Sequence, residues 1–90
     1  MNTRKKRALV AAKKARTHIE KVIGMLEADH YCIDVLQQAL AIQGLWKGAI
    51  RNILLNHIET CVSDALTSKD EIRRERTFKE LEKVMELADR

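Results

Sequence analysis

The chain has 90 residues, enough for one domain and too few for an enzyme with separate cofactor and substrate modules. Its 46% apolar and 33% charged residues form a globular mixture, which excludes a disordered chain, and no run of about 20 apolar residues is present to span a membrane. The net charge of +4 lies at the front, where residues 1–21 hold eight basic side chains against the single acid Glu20; such a stripe is either a solvated face or a surface for a polyanion, nucleic acid being the commonest. With no Pro and only three Gly, in a chain rich in Ala, Leu, Ile, Glu, Lys and Arg, the expected class is all-α with a few long helices. Three aromatic residues, Tyr31, Trp46 and Phe78, leave an aliphatic, thin core, and oligomerisation is the expected remedy. The first residues show no apolar core or small-residue cleavage site of a secretory signal. The expected location is therefore the cytoplasm, where Cys32 and Cys61 are expected to be reactive or metal-binding rather than disulfide-bonded.

The first predicted helix covers about 4–28, with Thr3 as a candidate N-cap and Leu9, Ala12, Arg16, Ile19, Ile23 and Leu26 at three- and four-residue steps. Most of the basic residues lie on its outer face. Asp29 is a candidate cap for a second helix over about 30–65, with Cys32 in its first turn. The apolar positions of this second helix, Ile33, Leu36, Leu40, Ile50 and Ile53 among them, cover more than one stripe, so a far face must meet another chain. A third helix is predicted over about 69–88, started by a Ser68/Glu71 capping box or by Thr67, with Phe78, Leu81, Val84, Met85 and Ala88 as its apolar side. The whole of 1–90 reads as one domain.

Three soft-metal ligands lie on the second helix. His57 and Cys61 are four residues apart and share a face. Cys32 precedes His57 by 25 residues, about 37 Å along a continuous helix. Two copies packed antiparallel bring Cys32 of one beside His57 and Cys61 of the other, and a twofold axis makes two such sites. The midpoint falls near Trp46, where Gly44 and Gly48 at small-xxx-small spacing are expected to let helices cross closely. The alternative is that a buried Cys and an H-x-x-x-C on a helix are structural. Two thiolates and an imidazole suit Cu(I), whereas Ni(II), Co(II) or Zn(II) wants a fourth ligand, for which His18 or His30 is a candidate.

The segment from Asp29 to Gln38 (DHYCIDVLQQ), followed by Asn56-His57-Ile58-Glu59-Thr60-Cys61-Val62, resembles the metal-sensing repressors of the copper-sensitive operon repressor type, whose relatives include nickel/cobalt and formaldehyde sensors. The resemblance covers nearly the whole chain. It implies a three-helix protomer, an antiparallel homodimer pairing into a homotetramer, and metal held by Cys32 of one subunit with His57 and Cys61 of the other. It further implies Tyr31 in a second layer around the metal, completed by Glu71 or Glu75, and release of operator double-stranded DNA when Cu(I) binds. Arg51 matches a family arginine implicated in DNA contact, while Lys13, Lys14, Arg16 and Lys21 are assigned to DNA on electrostatic grounds. The middle of the second helix, Gly44-Leu45-Trp46-Lys47-Gly48, departs from the family's Arg- and Ser-rich stretch. So does Thr17-His18-Ile19-Glu20-Lys21 on the first.

Other readings stay open at this stage. One is a thiol- or persulfide-sensing repressor of the same fold, using Cys32 and Cys61; another is a Ni(II) or Zn(II) sensor that recruits an additional ligand. A third is a helical adaptor without DNA binding. No Gly-rich phosphate loop, Ser-His-Asp arrangement or apolar carboxylate pair is present, and an enzyme is not expected.

Overall fold

The computed structural model describes residues 2–88, except for the side chain of Cys61. Every regular element among the described residues is helical: α1 (Thr3–Glu27), α2 (Cys32–His57), a π turn (Ile58–Val62), α3 (Ser63–Thr67) and α4 (Glu71–Ala88). Breaks at 28–31 and 68–70 leave three helical stretches, in line with an all-α, three-helix chain. Two compact units result, Met1–Asn56 and His57–Arg90.

In the first unit, α1 is capped by Asn2, not by Thr3 as expected: the Asn2 Oδ1 accepts the Lys5 backbone N–H at 2.9 Å, and Thr3 is already helical. The side chain one position earlier reaches the free donor of the first turn. At the other end, Asp29 does not cap α2. It adopts φ 55°, while its N–H donates to the Leu26 carbonyl and the His30 N–H to the Met25 carbonyl. This pair of bonds is a Schellman closure of α1, with an aspartate at the left-handed position that glycine usually fills. α2 accordingly begins at Cys32, two residues later than expected, and the Tyr31 carbonyl accepts its first helical bond, from Val35.

The four-residue link makes α1 and α2 antiparallel neighbours. The side-chain bond from Asn2 Nδ2 to Asn56 Oδ1 ties the start of one helix to the end of the other. Their contact follows a heptad seam. On α1 it runs through Ala8, Ala11, Ala15, His18, Val22 and Met25, with Ala8 and Ala15 buried and the rest half-buried. On α2 it runs through Val35, Gln38, Ile42, Leu45, Ala49 and Asn52 to the buried Asn56, and Ala49 is 0% exposed. The expected α1 face therefore shifts by one residue: Leu9, Ile19, Ile23 and Leu26 are exposed in the protomer. Alanines let the two backbones approach closely, and the bulkier side chains are displaced to the side.

The seam divides the hairpin into two flanks. One step after each seam position come Leu9, Ile19 and Ile23 on α1, and Leu36, Trp46 and Ile50 on α2, all exposed. The residues one step before seam positions include Arg7, Lys14 and Lys21 on α1, with Val10 between them, and Gly44, Gly48 and Arg51 on α2. Because the helices are antiparallel, equal steps from the seam point to the same side of the pair, so one flank is apolar and the other basic. Gly44 and Gly48, expected beside Trp46 at a helix crossing, stand on the opposite flank from it.

In the second unit the helical backbone passes from the π turn directly into α3, where Val62 and Ala65 are buried. α3 ends at Ser68, whose backbone is extended. The expected Ser68/Glu71 capping box does not form. Asp70 caps α4 instead, its Oδ1 accepting the N–H groups of Ile72 (3.0 Å) and Arg73 (3.3 Å), and the Ser68 hydroxyl accepts the Asp70 N–H at 3.1 Å. An aspartate directly ahead of the helix outcompetes a serine two residues further back. α4 starts at Glu71 and buries none of its residues in the protomer. No helix of the described chain is long and apolar enough to cross a membrane.

Candidate metal centre and nucleic-acid interface

Cys32 is the first residue of α2, and its thiol is free and exposed. His57 is the last residue of α2, half-buried, and its imidazole has no hydrogen-bond partner among the described residues. Cys61 lies in the π turn, and its side chain is outside the described residues. Such widened turns are frequent at functional positions of helices. Among the described residues no three His, Cys, Asp or Glu side chains gather into a metal site within one protomer. The donors nonetheless fit a soft ion in kind: a free thiol and an unengaged imidazole are uncommitted to the protomer's own bonding.

The residues expected around that site are placed as follows. Tyr31 precedes α2 and is 68% exposed. Glu71 and Glu75 lie together on α4 and border a hollow of about 620 Å3, whose apolar wall is Leu66, Ile72 and Phe78. Of the other histidines, His18 sits in the α1–α2 seam, its Nδ1 buried without a partner, and His30 is exposed in the link.

All five expected DNA-contacting cations, Lys13, Lys14, Arg16, Lys21 and Arg51, are exposed. Lys14, Lys21 and Arg51 stand on the basic flank. Arg16 falls one step after the seam, among Leu9, Ile19 and Ile23. Lys6 and Arg7, outside those five, border with Lys14 a hollow of about 360 Å3 on α1 and α2. The signal was available in the seven-residue recurrence of basic pairs, Lys6-Arg7 and Lys13-Lys14, continued by Lys21.

The model of the metal-sensitive transcriptional repressor family matches residues 4–90. The chain belongs to this family. A relative named copper-sensing transcriptional repressor CsoR, from Mycobacterium ulcerans (strain Agy99), is 44% identical over 66 residues, which are 73% of this chain and 56% of that protein. Its namesake from Mycobacterium tuberculosis (strain ATCC 25618 / H37Rv) is 41% identical over 66 residues, with the same coverage of 73% and 56%. The Bacillus subtilis (strain 168) protein of that name is 34% identical over 58 residues, 64% of this chain and 57% of the relative. The matched part of this family member thus spans about half the length of the curated relatives. Transcriptional repressors are not a class of enzymes.

Proposed function

We propose that this chain is a Cu(I)-responsive repressor that binds operator double-stranded DNA and is released when Cu(I) binds between subunits, with Cys32 of one protomer and His57 and Cys61 of its partner as ligands. The observation that carries the reading is the apolar flank of the hairpin. Leu36, Leu40, Trp46, Ile50 and Ile53 are large side chains left about half exposed along α2, and α1 adds Leu9, Ile19 and Ile23 on the same side. A contiguous face of this kind marks an association surface. A second copy laid against it, antiparallel, forms a four-helix bundle. The 25 steps from Cys32 to His57 are about seven helical turns, so the two ends of α2 point the same way, toward that copy. Pairing of dimers into a homotetramer, cytoplasmic location and the second-layer roles of Tyr31, Glu71 and Glu75 belong to the same reading.

The chemistry of Cu(I) supports it: two thiolates and one imidazole form a low-coordinate soft set, while Ni(II) or Zn(II) needs a further ligand. The names of the relatives point to the same metal. Because binding at two sites is linked, Cu(I) that weakens DNA binding is itself bound more weakly on DNA, by the same factor. The exposed, free Cys32 favours one second reading, a thiol or persulfide switch between Cys32 and Cys61 of neighbouring chains.

Anaerobic Cu(I) titration of single and mixed variants tests the arrangement. Cys32→Ala and Cys61→Ala each lose stoichiometric binding, whereas a mixture of the two recovers one site per mixed dimer, since one of its two sites keeps every ligand. Full binding by either variant alone, or no recovery on mixing, overturns the intersubunit site. Fluorescence anisotropy on a promoter duplex should show release by Cu(I), abolished in His57→Ala; a response to persulfide that survives His57→Ala selects the thiol reading instead.

A further inference from the structure

The basic flank of the hairpin carries more than the cations assigned to DNA above. At its N-terminal end Lys6, Arg7 and Lys14 border a hollow of about 360 Å3 whose apolar lining is Val10, Ala11 and Leu45. A second hollow of about 340 Å3 continues along α1, where Lys13, Lys14, Thr17 and His18 meet Val10. No carboxylate stands among residues 1–19 to neutralise this row. The cations recur every seven residues, two helical turns or about 10 Å apart, so they form a line along one side of α1 rather than a cluster.

The α2 side of the same flank is low. Gly44 and Gly48 stand one step before the seam, and a Cβ built on either meets nothing within 4 Å. Packing inside the protomer therefore does not require glycine there; the space above these positions is open. Arg51 follows at the far end of the same row. A line of cations beside a floor without side chains suits an extended ridge of negative charge, which is the form of a duplex phosphate backbone.

We infer that Lys6, Arg7 and Lys14 grip the phosphate backbone of a DNA duplex at this hollow, with Gly44 and Gly48 allowing the duplex to come close to α2. This rests on the reading of the chain as a DNA-binding repressor, and it adds Lys6, Arg7 and the two glycines to the expected contact residue Lys14. The contact is to phosphates, so it sets affinity and orientation rather than base preference.

The test is a salt series of anisotropy titrations on a labelled promoter duplex, using the full chain without metal. Each phosphate contact removed lowers the slope of log K against log salt by about 0.9. The double variant Lys6→Ala/Arg7→Ala therefore loses about 1.8 from that slope. Gly44→Leu, which changes no charge and whose Cβ meets nothing within 4 Å, lowers affinity by about tenfold or more, the effect of losing one or two contacts. Circular dichroism and sedimentation confirm that each variant keeps its helices and assembly. Wild-type protein that binds no duplex overturns the repressor reading and this inference with it. Wild-type binding with an unchanged slope in Lys6→Ala/Arg7→Ala, or unchanged affinity in Gly44→Leu, overturns the inference alone.

Discussion

The two flanks of the α1–α2 hairpin are built from the same seam, one residue to either side of it, yet large apolar side chains dominate one and cations with small residues the other. After the seam stand Leu36, Trp46 and Ile50, with Trp46 48% exposed; before it stand Arg7, Lys14, Lys21 and two glycines. Large apolar side chains suit a dry, permanent contact, whereas cations beside a low floor suit a wet, salt-sensitive one. On the proposed function, a one-residue offset separates the self-contact from the DNA contact on a hairpin only two helices wide. The arrangement also makes the two activities separable by mutation.

The largest effect is expected on the apolar flank. Trp46→Asp places an unpaired charge in the proposed self-contact, at a cost of about 3–5 kcal/mol, which weakens association by about two to three and a half decades. Sedimentation velocity should show protomers at concentrations where the wild type is assembled, with DNA binding lost as a consequence. On the basic flank, Lys14→Glu should leave assembly intact but weaken duplex binding by about tenfold to thirtyfold and flatten its salt dependence by about 1. If Lys14→Glu instead dissociates the assembly, the division into flanks fails. Gly48→Ala sharpens the comparison, because open space lies where its Cβ would go. The helix should gain about 1 kcal/mol, raising Tm by about 4–8 °C, while DNA binding weakens. The smallest effect is expected away from both flanks: Asp29→Gly relieves the left-handed backbone at φ 55° and should add about 0.5 kcal/mol in urea unfolding, with no change in assembly or DNA affinity.

Much of the architecture was legible because helix propensity and the absence of Pro act over long windows. Boundaries were less so. At each break two capping side chains compete within a few residues, Asn2 with Thr3 and Asp70 with Ser68, and geometry decides between them. Asp29 was misread because aspartate serves both as a cap and as a left-handed terminator. The one-residue shift of the α1 face has another cause: a pattern search is drawn to Leu9, Ile19 and Ile23, whereas close helix approach selects Ala8, Ala11 and Ala15. Cys32 and His57 stand out as candidate donors from residue type and spacing, and the structure adds that they mark the limits of α2, with Cys32 a free thiol and the His57 imidazole without a hydrogen-bond partner among the described residues. Lys6 and Arg7 belong to the basic stripe by sequence but not to the expected DNA-contacting set, because net charge marks the whole stripe and only their shared hollow with Lys14 distinguishes them.

The alanine seam has one more consequence. Among the described residues no large side chain is fully buried, and the seam's small methyl groups remove little apolar surface from water. In the proposed assembly, a hairpin made singly on the ribosome gains most of its burial only when a second copy covers its apolar flank. Melting should therefore depend on dilution, and cellular abundance should set how much of the protein is folded at all.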